Sequence, residues 1–286
     1  MLLIDMSNLV FSTASDYHRR TGDQMDINLL RHIVLSTLKS TKDKLRVYAD
    51  EIVLCFDSRN YWRRQMFPHY KGKRKENRDK DKMDWQALFN AYTQLKVELK
   101  ENFPFHCIEV DTAEADDIIA VLVTRFAPLK DICIASSDGD FIQLQQNVCP
   151  KIKQWSLYHK KFITPKNQQY DLFEHICRGD DGDGVPNILS DDDTFVDPLK
   201  RQKPVMAKKL QEWCKAGIAQ PERFCLDVPM LRRFERNKTL IDLRCVPEEV
   251  AANIVEAYDT SVPPKGMIFS YMVANRLTKL MSAGSF

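Results

Sequence analysis

Short hydrophobic runs alternate with amphipathic stretches through the first half of the chain. The runs are largely apolar, which is typical of buried β-strands, and they fall at residues 2–4, 52–56, 105–110 and 132–135; a further short strand is predicted near 152–155. Helical spacing of the apolar residues predicts helices over residues 28–48, 84–99 and 113–126, with Asp84 as the N-cap of the second. Strands that alternate with helices in this way predict an α/β fold with a central, mostly parallel sheet flanked by helices on both faces.

The second half of the chain has helical patterns and no strand alternation after about residue 168. Helices are predicted over residues 170–177, 205–215, 229–243, 247–258 and 269–281. The charged stretch 190–203 contains a proline and is predicted to be a loop. We therefore divide the chain into an α/β core, residues 1–168, and a helical lobe that packs against it, residues 169–286.

Acidic residues stand at the ends of four predicted strands. Asp5 and Asp57 close the first two strands, and Asp138 and Asp140 follow the fourth in the motif SSDGDF. After the third strand, the motif EADD opens a helix and supplies the acids Glu114, Asp116 and Asp117. Taken singly, these residues have simpler explanations, as turn residues or as negative charges that favour a helix N-terminus.

Taken together, the acids predict a metal site, because the carboxyl ends of parallel strands meet at one edge of the sheet. Converging carboxylates repel one another, and an unpaired buried charge costs several kcal/mol, so a cation is needed among them. A set of hard oxygen ligands without His or Cys favours Mg²⁺ or Mn²⁺ over Zn²⁺.

A second acidic motif, RGDDGDGVPN, lies in the helical half and carries Asp180 and Asp183. It is not an EF-hand loop, because placing Gly184 sixth puts Gly179 first and Ser190 twelfth, where Asp and Glu are required. The glycines instead predict a tight turn that reaches the metal site and can present backbone N–H groups to phosphate.

A basic stretch with interleaved aromatic residues occupies residues 59–82. Its members include Arg63, Arg64, Lys71, Lys73 and Arg74, with Tyr61, Trp62, Phe67 and Tyr70 among them. Cations bind phosphates and aromatic rings stack on exposed bases, so the stretch is typical of single-stranded nucleic-acid binding. A solvated charged surface is the simpler alternative. Because the stretch follows Asp57 directly, we expect it to rise over the acidic edge, as phosphodiester cleavage would require.

The composition limits the class of protein. The net charge of +2 indicates no particular partner, and the eight cysteines form no CxxC pair or zinc-type cluster, as is typical of a reduced cytosolic protein. No apolar run approaches the ~18 residues of a membrane span, and the N-terminal segment lacks the features of a signal peptide. We therefore expect no membrane association.

In this order, the strand-ending Asp5 and the segments FDSRNYWRR, HYKGKR, AEADDIIA, SSDGDF and GDDGDGVPN resemble the 5′-nuclease superfamily, the flap endonucleases and 5′→3′ exonucleases with a PIN-like fold. The likeness covers nearly the whole chain, including QWSLYHKKF and PPKGMIFSYMVANRLTKL. It implies a PIN-like nuclease core at residues 1–168 with a basic helical arch at about 59–90. It also implies a DNA-binding lobe at residues 169–286 that contains a helix-turn-helix-type motif.

The resemblance implies site residues and cofactors as well. Two Mg²⁺ ions, replaceable by Mn²⁺, are implied, with a monovalent cation in the DNA-binding turn. The first Mg²⁺ would be surrounded by Asp5, Asp57, Glu114, Asp116 and Asp138. The second would be surrounded by Asp138, Asp140, Asp180 and Asp183, while Asp117 would brace its helix. Lys71 and Arg74 would contact the scissile phosphate and act in catalysis with Asp138, and Tyr70 would stack on the terminal base. Further nucleic-acid contacts would come from Arg63, Arg64, Lys73, Gly184, Lys208 and Lys209.

The implied activity is structure-specific 5′→3′ exonuclease and flap endonuclease cleavage of DNA or RNA–DNA duplexes by two-metal hydrolysis. It would remove RNA primers during lagging-strand replication, in a monomer acting in the cytoplasm of a phage-infected bacterium. A single-strand-binding protein and a sliding clamp would be its protein partners.

One departure from the family pattern is an Asp-rich loop at residues 191–193, which replaces the usual Gly-x-Gly of the hairpin that binds duplex. Duplex contact would then shift to Lys200, Arg201, Lys203, Lys208 and Lys209. Two other functions remain open. A PIN-type endoribonuclease shares the acidic edge but is usually much shorter and lacks the arch. A non-catalytic DNA-binding relative would have lost one or more of the metal acids.

Overall fold

A six-stranded sheet forms the centre of the molecule. The structure is a computed structural model, and it describes residues 1–149, 151–165, 170–264 and 267–281. The strands are β1 (Leu2–Asp5), β2 (Ile52–Cys55), β3 (His106–Ile108), β4 (Cys133–Ala135), β5 (Lys153–Ser156) and β6 (Lys161–Ile163). Their order is β3-β2-β1-β4-β5-β6, and all neighbours pair in parallel except β6, which is antiparallel to β5. The predicted mostly parallel sheet is confirmed.

Helices cover both faces of this sheet. Those before residue 150 are α1 (Met6–Thr21), α2 (Ile27–Lys44), α3 (Trp62–Met66), α4 (Lys73–Asp79), α5 (Trp85–Asn102), α6 (Ala115–Phe126) and α7 (Ile142–Asn147). Side chains alternate along a strand, so Leu2 and Ile4 pack on one face with α1, α2 and α5, and Leu3 packs on the other with α6. Both faces are buried at the centre of the sheet, which explains why β1, β2 and β4 are nearly continuous apolar runs.

The second half is helical, as predicted. Its helices are α8 (Tyr170–Arg178), α9 (Ala207–Cys214), α10 (Val228–Ile241), α11 (Glu248–Thr260), α12 (Ile268–Ala274) and α13 (Thr278–Met281). A separate hydrophobic cluster joins α8, α9 and α10, whereas α11 packs on α6 and α12 contributes Tyr271 and Met272 to the first face of the sheet. Helices α11 and α12 therefore pack on the α/β core, although they come from the second half of the chain. The predicted division at residue 168 lies outside the described residues.

The structure differs from the sequence prediction in several elements. Helix α1 was not predicted, because its Ser, Thr and Asn residues obscure the apolar spacing, and β6 is a short, largely exposed edge strand without an apolar signal. The helix predicted over 269–281 is broken, because Arg276 has a φ of 54° between α12 and α13. By contrast, the loop predicted over residues 190–203 is confirmed, as part of the connection 179–206 between α8 and α9. No helix within the described ranges is long and apolar enough to cross a membrane.

Candidate metal and nucleic-acid site

The ends of β1, β2 and β4 bring acidic residues to one edge of the sheet. Asp5 caps α1, where its Oδ1 accepts the Asn8 N–H at 2.9 Å, and its Oδ2 accepts the Ser136 hydroxyl at 2.9 Å. Ser136 directly follows β4, so this bond joins the ends of two neighbouring strands. Asp57 Oδ1 accepts the N–H of Ala115 at 2.7 Å, which ties the end of β2 to the start of α6. The convergence expected from parallel strands is therefore present.

The EADD motif forms the beginning of α6. Glu114 is its N-cap and makes a capping box with Asp117, whose Oδ2 accepts the Glu114 N–H at 2.9 Å. The same Asp117 oxygen accepts the indole N–H of Trp62 at 3.0 Å. Asp117 thus braces the helix, as expected. Repulsion from Asp5 and Asp138 contributes to the raised pKa of Asp116, so this acid belongs to the cluster.

The turn after β4 is closed by Asp138. Its backbone N–H donates to Ser136 Oγ at 3.1 Å, and its Oδ1 accepts the N–H of Asp140 at 2.9 Å, which caps the short 3-10 turn Gly139–Phe141. Asp140 then joins Asp116, Asp180 and Asp183 in the lining of one pocket. Acids expected around the first metal and around the second therefore meet in a single cavity.

Crowding shifts the protonation of these carboxyl groups. Burial, followed by repulsion from Asp57, raises the pKa of Asp5 to about 7. Burial, followed by repulsion from Asp138, raises the pKa of Asp140 to about 7. Burial also raises the pKa of Asp116 well above its ordinary value. A set of carboxylate oxygens this close together fits a divalent cation, whose charge would offset their repulsion.

The free energy of unfolding in EDTA is expected to fall by about 2 kcal/mol or more between about pH 5 and pH 8. Asp5 and Asp140 have folded pKa values of about 7, above those of the unfolded chain, so the stability that they contribute is present at low pH and is lost as the pH rises through about 7. Asp5 should dominate because it is only 4% exposed, whereas the Asp140 side chain is 30% exposed. Denaturant unfolding across this pH range measures the effect.

The same measurement with added Mg²⁺ should restore more stability at about pH 8 than at about pH 5, because only ionised carboxylates bind the cation. An equal gain in the free energy of unfolding at both pH values would contradict the metal assignment.

Three residues at the base of the predicted arch contact the acids directly. Lys71 Nζ contacts Glu114 Oε1 and lies 3.6 Å from Asp183 Oδ2, while Arg74 Nη2 donates to Asp183 Oδ1 at 2.6 Å. The Tyr70 hydroxyl lies 2.7 Å from Asp183 Oδ2 and 3.0 Å from Glu114 Oε2. Burial alone would raise the pKa of Glu114, but Lys71 and Arg63 hold it below its ordinary value. Lys71 thus stands between an acid of each expected metal position.

Three side chains predicted to contact nucleic acid are buried: Arg63, Tyr70 and Lys71, of which Lys71 is 8% exposed. Arg63 is 2% exposed, and its Nη1 lies 2.9 Å from Glu114 Oε2 and 2.8 Å from Asp117 Oδ1, while its Nε donates to the Leu240 carbonyl at 2.9 Å. Tyr70 is 3% exposed, so its ring does not face solvent for base stacking. The Arg63 and Tyr70 side chains turn inward in this structure and pair with buried carboxylates, an arrangement that no sequence pattern of the basic stretch reveals.

The other predicted nucleic-acid contacts lie in different surroundings. Arg64, Lys73, Lys208 and Lys209 are exposed, and Lys73 Nζ stands 5.6 Å from the centroid of the Phe195 ring. Gly184 has a φ of +71°, and a Cβ there would lie 3.2 Å from the His69 carbonyl, so a side chain at this position would be strained and crowded against the base of the arch. Its N–H donates to Asp181 O at 3.2 Å and is not free to bind phosphate.

The Asp-rich loop is held by basic side chains. Asp192 accepts hydrogen bonds from Arg232 Nη1 at 2.9 Å and from Arg236, and Asp191 accepts one from Arg233 at 2.7 Å. Lys200, which was expected to contact duplex, donates to Asp193 at 2.6 Å instead. The Arg201 guanidinium donates to the carbonyls of Pro198 and Lys200. Lys203, Lys208 and Lys209, which were also expected to contact duplex, are exposed.

Sequence reasoning missed His175, which lies among the acids. Its Nδ1 is 3.5 Å from Asp140 Oδ1 and its Nε2 is 3.3 Å from Asp180 Oδ2. The apolar spacing of α8 buries Leu172, Phe173, Ile176 and Cys177 and leaves His175 on the other side of the helix. A single histidine five residues before Asp180 was too weak a signal to single out.

Two protein-family models match the chain. The model described as 5′-3′ exonuclease, N-terminal resolvase-like domain, matches residues 1–172, and the one described as T4 RNase H, C terminal, matches residues 167–285. Ribonuclease H of Enterobacteria phage T4 is 33% identical over 98% of this chain and 93% of its own length. Flap endonuclease Xni of Shewanella sp. strain MR-4 is 30% identical over 60% of this chain and 65% of its own length.

Solved structures show a similar fold. The D15 flap endonuclease of bacteriophage T5, in a complex with DNA and metal ions, has a TM-score of 0.65 at 17% identity and covers 91% of this chain and 99% of its own. The T5 D15 protein co-crystallised with metal ions has a TM-score of 0.64 at 17% identity and covers 90% and 98%. At this level of identity the likeness concerns the fold of the sheet and its flanking helices.

Proposed function

The chain belongs to the 5′-3′ exonuclease family of nucleases, and from this premise we propose that it is a divalent-metal-dependent 5′ nuclease. It would hydrolyse phosphodiester bonds at 5′ ends and 5′ flaps of DNA and RNA–DNA duplexes. The observation that carries the proposal is the acidic cluster at one edge of the sheet, in which Lys71 pairs with Glu114 and Arg74 pairs with Asp183. An acidic cluster beside fixed cations suits a substrate that is itself a polyanion.

Eight acids would hold the two metal ions. These ions would be Mg²⁺, and Mn²⁺ could replace them. The first position would be surrounded by Asp5, Asp57, Glu114, Asp116 and Asp138. The second would be surrounded by Asp138, Asp140, Asp180 and Asp183. When bound, the two cations would stabilise the attacking and leaving oxygens of an in-line displacement at phosphorus. Asp138 would serve both positions, which is supported by its closeness to acids of both groups.

Lys71 and Arg74 would hold the scissile phosphate. Burial opposes the charge of Lys71, but Asp183 and Glu114 raise its pKa far above the ordinary value, so the ammonium stays charged at any pH of interest. Arg74 is 47% exposed in its side chain and can turn from Asp183 toward a phosphate. A guanidinium and an ammonium fixed beforehand would stabilise charge on the phosphate without reorganising in the transition state.

The inward-facing Arg63 and Tyr70 would position the acids and would not touch the substrate. Arg63 holds Glu114 and Asp117 together, and the Tyr70 hydroxyl lies between Glu114 and Asp183. Arg64 and Lys73, which are exposed, remain the proposed contacts of the arch with a single strand.

The proposed cellular role is supported by similarity to Ribonuclease H of Enterobacteria phage T4. We place the protein in the removal of RNA primers during lagging-strand replication, in the cytoplasm of an infected bacterium. It would act as a monomer, together with a single-strand-binding protein and a sliding clamp. Residues 1–168 would cleave, and residues 169–286 would bind duplex through Lys208 and Lys209, with a monovalent cation in the turn around Gly184.

Replacing Lys71 by Met is expected to slow single-turnover cleavage of a 5′ flap by roughly a hundredfold. Binding of the flap, measured by fluorescence anisotropy, should change by less than about threefold, because one contact among many phosphates is lost. Lys75→Met is the matched control, since Lys75 is exposed on the same segment. A near-normal cleavage rate for Lys71→Met would remove this residue from the site.

A blunt RNA–DNA hybrid labelled at the 5′ end of the RNA tests the direction and substrate of cleavage. We expect stepwise release of short labelled products in Mg²⁺ and none in EDTA. Single-stranded RNA of the same sequence is the control. Internal cleavage of that RNA together with an intact hybrid would instead support a PIN-type endoribonuclease.

A further inference from the structure

His175 occupies the gap between two acids that the proposed function assigns to the second metal. Each nitrogen of its ring faces one of them, Nδ1 toward Asp140 at 3.5 Å and Nε2 toward Asp180 at 3.3 Å. One ligand atom from each of the three residues can be chosen so that all lie within 4.8 Å of one another. Within the described part of the chain, this is the grouping of His, Cys, Asp and Glu side chains that meets that spacing.

The position of His175 is fixed by its helix. On α8, the neighbouring Phe173 and Ile176 are fully buried in the cluster with α9 and α10. The N–H of Gly179 closes the helix on the His175 carbonyl at 2.8 Å. Asp180 is held in turn by the paired strand-like bridge between Asp180 and Val185. The His175 ring therefore lies between the turn after β4 and the turn after α8. The packing of α8 fixes the ring, and the bridge to Val185 fixes Asp180.

The spacing suits ligation of one ion. Two ligands at about 2.1 Å from a metal lie roughly 3 to 4 Å apart, so small rotations of the three side chains would bring their donors to a common ion. A metal-bound histidine commonly donates its second N–H to a carboxylate. In this structure each ring nitrogen lies within 3.5 Å of an aspartate oxygen, so either nitrogen can face the ion.

We propose that His175 is a nitrogen ligand of the second divalent-metal position, beside Asp140 and Asp180. This inference rests on the proposed function, because it uses the metal position named there. Imidazole binds Mn²⁺ and Co²⁺ better than it binds Mg²⁺, which prefers oxygen. The second position would therefore favour Mn²⁺ over Mg²⁺ more strongly than a site of carboxylates alone.

Pulsed electron paramagnetic resonance of the full chain loaded with Mn²⁺ tests the ligation directly. We expect a ¹⁴N coupling from a bound imidazole in the natural protein and in the control His32→Gln, and no such coupling in His175→Gln. His32 lies in α2, outside the acidic pocket. Mn²⁺ binding without any ¹⁴N coupling in the natural protein would show that His175 is only a counter-ion of the two aspartates and would overturn the inference.

Titration calorimetry gives a second measurement and separates the two proposals. His175→Gln should weaken Mn²⁺ binding at one position by about tenfold or more, and Mg²⁺ binding by less than about threefold. Equal losses for both ions would overturn nitrogen ligation. If the natural protein binds neither Mn²⁺ nor Mg²⁺, the proposed function itself fails, whereas binding of two Mn²⁺ ions without a nitrogen ligand defeats only the assignment of His175.

Discussion

Replacing Asp138 by Asn is expected to lower single-turnover cleavage of a 5′ flap by roughly a thousandfold or more while flap binding is retained. Asp138 is the acid that the proposal assigns to both metal positions. It lies close enough to Asp5, Asp116 and Asp140 to raise their pKa values. Loss of one negative charge at this point weakens metal binding but relieves repulsion toward DNA, so affinity for the flap should hold or improve.

Cleavage of a labelled flap measures the expected loss of activity. Fluorescence anisotropy of the same flap in EDTA measures the expected retention of binding. Asp131→Asn is the matched control, because Asp131 is an exposed aspartate just before the other end of the same strand, β4. Near-normal turnover of Asp138→Asn would refute its assignment to the metal, whatever the binding result.

Replacing Arg63 by Met is expected to lower the free energy of unfolding by about 3 kcal/mol or more near neutral pH. The guanidinium is 2% exposed and pairs with Glu114 and Asp117, which are themselves buried. Methionine keeps much of the side-chain volume but removes the positive charge beside these carboxylates. Among the described residues, Arg63 is the cation paired with Asp117, so Asp117 would be left without one. Breaking a buried ion pair on one side costs more than the pair itself contributes.

Urea unfolding of the reduced protein measures this cost. Arg64→Met, an exposed neighbour, is the control and should change the free energy of unfolding by less than about 0.5 kcal/mol. The loss in Arg63→Met should shrink at acid pH, where the orphaned carboxyl groups are protonated. A change smaller than about 1 kcal/mol at neutral pH would show that Arg63 does not hold the acids.

Much of the sheet and its acidic edge was predictable from the sequence. Of the five parallel strands, β1 to β4 lie in short apolar runs, and parallel pairing brings the carboxyl ends to one edge whatever the detailed register. The N-cap at Asp84 was predictable because the side chain acts on a backbone N–H only three residues away, that of Ala87 at 2.9 Å. Local pattern and general topology were enough for these features.

The surroundings of the acids were not predictable from the basic stretch. The basic stretch gives no sign of which cations turn inward: of Arg63, Arg64 and Lys73, only Arg63 does so. Its helix, α3, packs against α6 and the end of α10, and the Arg63 Nε–H donates a hydrogen bond to the Leu240 carbonyl. Whether a cation neutralises the interior or faces solvent depends on such contacts between distant segments. His175 was hidden for the same reason, since Asp140 is 35 positions away in the chain and meets it only in the fold.

The most direct test of the account is cleavage of a synthetic duplex that carries a labelled 5′ flap, with a 3′-flap duplex of the same sequence as control. The account predicts release of the 5′ flap in Mg²⁺, no release in EDTA, and an intact 3′ flap in both. Failure to release the 5′ flap in Mg²⁺ or in Mn²⁺, or equal release with EDTA present, would contradict a metal-dependent 5′ nuclease.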